Sequence, residues 1–182
     1  MKQAKETYVL LHDIRSTQNV GAILRTCDAV GVDKVFFSGI TSSPVDRFGR
    51  KRSDVSKSAL GAEDSVEWEV LEEKGKSVTK FLQEMKKEGF QIVALEQAEN
   101  SVDYKEINEK FPADKRVVIV GNEVEGVSKE ILDLCDVIGE IPMMGQKESL
   151  NVSVAFGIFI FRIFLFLDLS FFRSIYPQGK GN

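Results

Sequence analysis

The sequence is poor in the residues from which metal centres and covalent frameworks are made. It holds one histidine, His12, and two cysteines, Cys27 and Cys135, with no CxxC pair. A structural zinc needs four nitrogen or sulfur ligands at close spacing, and a disulfide scaffold needs several cysteines in a short chain. Neither pattern is present, so no metal is expected. Reduced thiols suit a cytoplasmic protein. Four prolines mark no Pro-rich linker, and the 14 glycines form no low-complexity tract. Charge of one sign is missing too: 24 Lys and Arg stand against 28 Asp and Glu, a net −4. That balance argues against a general polyanion binder and leaves room for a local basic patch. No signal peptide is read at the start, where residues 1–7 are charged and the apolar run after them is too short for a signal core.

What is present is a chain of 182 residues, 43% hydrophobic, enough for one substantial core, and we expect a single domain over residues 1–182. Apolar runs at 8–11, 34–37, 91–95, 117–120 and 137–141 predict strands. Helical periodicity predicts helices at 20–30, 76–88, 128–134 and 150–167, with Gly31 and Gly89 as the stops of the first two. Strands alternating with helices make an α/β protein with a mostly parallel sheet flanked by helices. The polar connection 41–67 predicts a loop plus a short helix, and it carries the basic cluster Arg47, Arg50, Lys51, Arg52 and Lys57. The longest apolar run, 150–172, is rich in phenylalanine but interrupted by Arg162 and Asp168. A membrane span wants roughly 20 apolar residues with few charges, so we read a buried helix partly covered by a second subunit ahead of a membrane segment.

Three stretches put polar residues where open α/β folds bind ligands, beyond the C-terminal ends of strands. In NVGAILRTCDAVG, 19–31, a helix opens with Gly21 and Ala22, small enough for close approach. Arg25 stands six residues after Asn19, and both are expected to face the end of the sheet; a solvated or ion-paired arginine is the plain alternative. In VVIVGNEVEG, 117–126, a β-branched strand runs into a glycine loop with two carboxylates. Gly121 is expected to let a ligand lie against the backbone, although the lysine and glycine spacing of a phosphate loop are missing. Glu123 and Glu125 read either as paired carboxylates or as one inward group and one solvated. In IPMMGQKESLNVSVAFG, 141–157, polar residues run directly into an almost wholly apolar helix, with Ser149 as its expected N-cap. By itself this last stretch reads as a capped core helix. His12 is tempting as a base but has no partner pattern.

Together and in this order, the three stretches resemble the three motifs of the SpoU/TrmH family of RNA 2′-O-methyltransferases in the SPOUT superfamily. The likeness begins in LHDIRSTQN, 11–19, passes through SKSALGAE, 56–63, and ends at Gly157, so it covers most of the chain. It implies a SPOUT fold with a C-terminal deep trefoil knot, a topology that physical expectation alone rejects. It also implies S-adenosylmethionine as methyl donor, with S-adenosylhomocysteine as product, and tRNA or rRNA as substrate. A cytoplasmic homodimer that buries the C-terminal helix is implied as well. With only about 7 residues before the first strand, the chain is expected to be close to a bare catalytic domain with no separate RNA-binding domain.

Residue by residue, the resemblance assigns catalysis to Asn19, Arg25, Glu123, Ser149 and Asn151. Arg25 is central; Asn19 orients it or the ribose, Glu123 holds the arginine or the neighbouring loop, and Ser149 and Asn151 complete the substrate side. Gly121, Ile141 and Leu150 would hold the adenosyl group through the backbone, with Leu95 near the adenine or ribose. Met143 and Met144 either pack on the cofactor or fill the core. A guanidinium keeps its charge, since its pKa lies above about 12. Arg25 is therefore expected to bind the adjacent phosphate and stabilise developing alkoxide charge, with its deprotonation as the alternative. Arg47, Arg50, Lys51 and Arg52 are the candidates for RNA backbone contact. Two other classes stay open: a non-catalytic RNA-binding or nucleotide-sensing module on the same fold, and a membrane-associated dimer resting on the aromatic tail 163–172.

Overall fold

Each of the five apolar runs forms a strand in the computed structural model, which describes residues 6–71 and 77–165. They are β1 (Glu6–His12), β2 (Lys34–Ser38), β4 (Gln91–Leu95), β6 (Lys115–Val120) and β7 (Val137–Glu140). Two short strands complete the sheet, β3 (Trp68–Val70) and β5 (Val102–Asp103). Their order is β3-β2-β1-β6-β4-β7-β5, and every pairing is parallel. Parallel registry brings the C-terminal ends together. Leu11 pairs with Val120, Val120 with Leu95, and Leu95 with Gly139, so one edge of the sheet gathers the ends of β1, β6, β4 and β7.

Side chains alternate across this sheet with the period of two that a strand imposes. Val9, Leu11, Val93, Val118 and Val120 face one side, where helix α1 (Thr17–Val30), the pair α2 (Ser53–Ala59) and α3 (Ala62–Ser65), and α7 (Val152–Leu165) pack on them. Leu10, Ile92, Ala94, Val117 and Ile119 face the other, against α4 (Val78–Lys87) and α6 (Lys129–Leu132). The short α5 (Ile107–Lys110) joins β5 to β6. Because both faces are covered, the strands read as continuous apolar runs. Helix α1 starts earlier than its periodicity suggests, since Ser16 caps it by accepting from Asn19 N at 3.3 Å, and Gly31 ends it at φ 82°. A side chain on Gly21 would collide with Ser58 and the Val55 carbonyl, so this glycine lets α1 cross α2 closely.

Several expectations are corrected. The connection 41–67 holds two short helices instead of one, and β3 and β5 are too short to carry an alternation. Helix α7 was expected to be buried with part of its surface left for a second subunit, and within one chain it is buried on one side only. Phe156, Phe159, Ile160 and Ile163 form a buried stripe, while Val154, Ile158 and Phe161 lie exposed on another face, at 50%, 39% and 40%. Its C-terminal end is held by Asn108, whose amide donates to the carbonyls of Arg162 and Ile163, and Asn108 in turn accepts from buried Arg116. Residue 76 and the tail beyond 165, including most of the aromatic run 163–172, lie outside the described residues. Among the described residues no helix is long and apolar enough to cross a membrane.

Candidate active site

A cavity of about 840 Å³ opens at the sheet edge where β1, β6, β4 and β7 end. It gathers nine of the ten catalytic and cofactor residues expected from the sequence: Asn19, Glu123, Ser149, Asn151, Leu95, Gly121, Ile141, Met143 and Leu150. The tenth, Arg25, does not line it. At about 100° per residue, six residues carry Arg25 about 240° round α1 from Asn19, so the two face different ways. Arg25 is exposed and has no hydrogen bond or ion pair among the described residues.

The polar side of the cavity is one connected set. The Glu123 carboxylate accepts from Arg15 N at 2.9 Å, Ser16 N at 3.1 Å and Asn19 Nδ2 at 2.9 Å. Asn19 Oδ1 in turn accepts from Asn151 Nδ2 at 3.1 Å. The loop after β1, the start of α1, the loop after β6 and the start of α7 are thus tied through two amides and one carboxylate. Burial works to raise the Glu123 pKa, but the donors from Arg15, Asn19 and Ser16 outweigh it and hold the group below its ordinary value. Glu123 is therefore an anion that organises the site. Glu125 lies on the cavity wall without joining this set, so the two carboxylates are not an acid–base pair.

Asn151, not Ser149, caps α7. Its carbonyl accepts from Ala155 N and its Oδ1 from Ser153 N, both at 2.9 Å, as an N-cap residue does. The apolar pattern could not separate two capping residues two positions apart. Ser149 makes no hydrogen bond to a described residue, which leaves its hydroxyl free inside the cavity. Gly121 lines the cavity and has a second role in the turn that follows it. A Cβ there would stand 2.5 Å from the Gly126 carbonyl oxygen, so the missing side chain lets the turn 122–126 fold back on the strand end. Asn122 closes that turn: its Oδ1 accepts from Val124 N and Glu125 N, and its Nδ2 donates to Asp13 O.

The cavity also has an apolar lining, made by Leu95, Val120, Ile141, Met143, Leu150, Val152 and Ala155. Met144 is 95% exposed and packs neither on the cavity nor in the core. Such a lining beside strand-end peptide groups fits a flat, partly polar group such as an adenosyl moiety. Sequence reasoning missed Arg15, Ser16, Glu96, Gln97, Asn122 and Glu148 on the cavity wall. Arg15, Ser16 and Asn122 sit inside motifs already singled out, and Glu96 directly follows a strand end, which was the available signal.

His12 is structural: its Nδ1 meets Ser38 Oγ at 2.8 Å and its Nε2 lies 3.2 Å from Asp13, tying the ends of β1 and β2 outside the cavity. Burial pushes the Cys135 thiol up to about 12 and raises Cys27 as well, so neither is a ready nucleophile. In the basic cluster, Arg50 pairs with Asp46 at 2.7 Å and Lys51 with Asp64 at 2.5 Å, while Arg47 lies over the Phe48 ring.

Fold and cavity together define a parallel α/β protein with an open cavity at the C-terminal edge of its sheet, the place where such folds bind ligands. The sequence model of the SpoU rRNA Methylase family matches residues 6–161, and the chain belongs to that family. A tRNA (guanosine(18)-2′-O)-methyltransferase of Aquifex aeolicus is 36% identical over 160 residues, which are 88% of this chain and 69% of that protein. Among solved structures, an AdoMet-bound rRNA methyltransferase from Sinorhizobium meliloti superposes with a TM-score of 0.74 at 29% identity, covering 88% of this chain and 56% of that one. A TrmH/SpoU tRNA modifying enzyme of A. aeolicus gives 0.71 at 34%, covering 88% and 75%. The chain thus spans between about half and three quarters of the proteins it resembles.

Proposed function

We propose that this chain is an S-adenosylmethionine-dependent RNA methyltransferase that modifies a ribose 2′-hydroxyl of tRNA or rRNA. The observation that carries this is the Glu123–Asn19–Asn151 chain of hydrogen bonds in a cavity that is also lined by Leu95, Ile141, Met143 and Leu150. The donor, when bound, supplies a methyl group on a sulfonium with a good leaving group, so the protein's task is positioning and charge stabilisation. Leu95, Ile141 and Leu150 form the wall for the adenosyl group. Glu123 fixes Asn19, and Asn151 fixes the other end of the same amide. Ser149, with its uncommitted hydroxyl, receives the ribose.

Arg25 holds the adjacent phosphate and stabilises the developing alkoxide, and it does so in the site of a second copy. Support comes from two features: Arg25 points away from its own chain's cavity, and α1 packs beside α7, whose stripe Val154, Ile158 and Phe161 is uncovered. A homodimer that buries this stripe brings the two together. The same proposal includes the trefoil knot. β7 enters the sheet between β4 and β5, both earlier in the chain, and segment 141–151 then returns past the strand ends to place α7 on α1. Arg47, Arg50, Lys51 and Arg52 contact the RNA backbone. We place the protein in the cytoplasm as one catalytic domain, and two free cysteines agree with a reducing compartment.

Calorimetry with S-adenosylmethionine and S-adenosylhomocysteine, followed by mapping of 2′-O-methyl sites in RNA from cells with and without the protein, tests this. Micromolar-range cofactor binding and the loss of a defined methyl mark are expected. No affinity for either molecule would overturn it.

A further inference from the structure

The loop after β2 carries a feature that backbone neutralisation does not require, an exposed aromatic ring with two guanidinium groups close to it. Phe48 is 66% exposed. The Arg47 guanidinium lies 4.8 Å from its ring centroid and that of Arg50 5.1 Å. The ring stands on a closed tip. Val45 and Lys51 pair as an antiparallel bridge, Asp46 N donates to Arg50 O and Gly49 N to Asp46 O, each at 2.9 Å, with Gly49 at φ 76°. The Asp46 carboxylate binds the rest of the tip, accepting from Phe48 N at 2.9 Å, Arg50 N at 3.0 Å and Arg50 Nε at 2.8 Å. These bonds with Arg50 first among them hold Asp46 down to about 2, so the clamp stays charged at every physiological pH.

An exposed phenylalanine on a pre-ordered tip keeps apolar area in water, which favours a tip whose ligand supplies a flat partner. The flanking arginines give that partner its chemistry. Guanidinium planes stack on aromatic faces and pair with phosphates, so an Arg–Phe–Arg set suits a base together with its own backbone. The tip also leaves from the catalytic side of the sheet. β2 ends level with β1, His12 pairing Ser38, and Thr41 Oγ1 in the connection accepts from Ile14 N at 3.0 Å, one residue before the cavity residue Arg15.

We infer that Phe48, flanked by Arg47 and Arg50, is a stacking platform for an unpaired nucleobase of the RNA substrate. The inference rests on the RNA methyltransferase proposal and adds a preference for substrates whose bases are free near the modified ribose. A duplex, whose bases are stacked on each other, offers the platform only its phosphates.

The test uses the full chain, a fluorescent stem–loop RNA and a blunt RNA duplex of equal length and composition, with Phe48→Leu and Phe48→Trp variants. Phe48→Leu keeps an apolar side chain and is expected to weaken stem–loop binding on the order of tenfold while leaving duplex binding unchanged. Phe48→Trp is expected to retain affinity, its fluorescence quenched by the stem–loop. Unchanged cofactor affinity checks that both variants are folded. Equal binding of the stem–loop by wild type and Phe48→Leu overturns the platform alone, as does an equal loss on both RNAs. Dissociation of a wild-type dimer in Phe48→Leu, seen by sedimentation, makes the ring a protein contact and also overturns it. If wild type binds neither RNA, the methyltransferase proposal falls and the platform with it.

Discussion

Glu123 and Asn19, 104 residues apart in the chain, meet at 2.9 Å between a carboxylate oxygen and an amide nitrogen. The same carboxylate takes two backbone N–H groups from the loop after β1, so one side chain fixes both the loop and the amide. Replacing it by Glu123→Gln keeps the volume and removes the charge. The strongest acceptor at the site is lost, and Asn19 is free to turn. Because the carboxylate is exposed, we expect a stability cost of only about 1 kcal/mol, against a fall in turnover of tenfold or more. Steady-state kinetics beside a denaturant titration would show it. Turnover that follows stability alone would reduce Glu123 to a structural brace.

The depressed Glu123 pKa gives a pH prediction of definite sign. The group is easier to ionise when folded than its ordinary value of 4.5, so its contribution to stability is complete above 4.5 and is lost as pH falls through the lower, folded value. Other carboxylates titrate in the same range, so the informative quantity is the difference between wild type and Glu123→Gln. That difference is expected to be constant near neutrality and to shrink below pH 4.5. Denaturant midpoints measured down the acid limb test it, and a gap that widens towards acid would contradict the assignment.

Ser149 and Asn151 stand two residues apart and are expected to fail in different ways. Asn151→Ala removes the α7 cap and the bond to Asn19, and should cost about 1 kcal/mol of stability as well as activity. Ser149→Ala breaks no hydrogen bond within the described residues, so its loss should appear in turnover at unchanged stability. Thermal melts beside single-turnover rates separate them. Equal destabilisation by the two variants would show that the cap is shared.

Sequence patterns reported this fold where they were long and regular, and missed it where they were short. The five central strands and α1 could be found because both faces of the sheet are covered and the helix has a clear apolar stripe. β5, two residues at the sheet edge, and α5, a single turn, carry no periodicity to read. At the site, the family motifs pointed to residues of which nine of ten line one cavity, but could not give their orientation. Asn19 and Arg25 share a helix and a motif, and only helical phase, multiplied over six residues, turns one into the cavity and the other away from it. The switch of the cap from Ser149 to Asn151 and the role of Gly121 against Gly126 likewise depend on tertiary contacts that a linear pattern does not contain.

The outward aim of Arg25 leads to a prediction about assembly. If Arg25 serves the cavity of a second copy, Arg25→Lys should bind cofactor normally, because nothing in its own cavity changes, and should lose most of its turnover, because lysine lacks the fork that holds a phosphate and an alkoxide together. Mixing Arg25→Ala with Asn151→Ala should then restore activity well above that of either variant alone, since one of the two sites in a mixed dimer receives an intact Arg25 and an intact cavity. Introducing a charge on the uncovered stripe, as in Ile158→Asp, should give a folded monomer without activity, because the side chain is exposed within one chain and desolvated only between two. Sedimentation read beside methyl transfer tests both. An active Ile158→Asp monomer, or a mixture no better than its components, would place the whole site within a single chain and return Arg25 to the solvent.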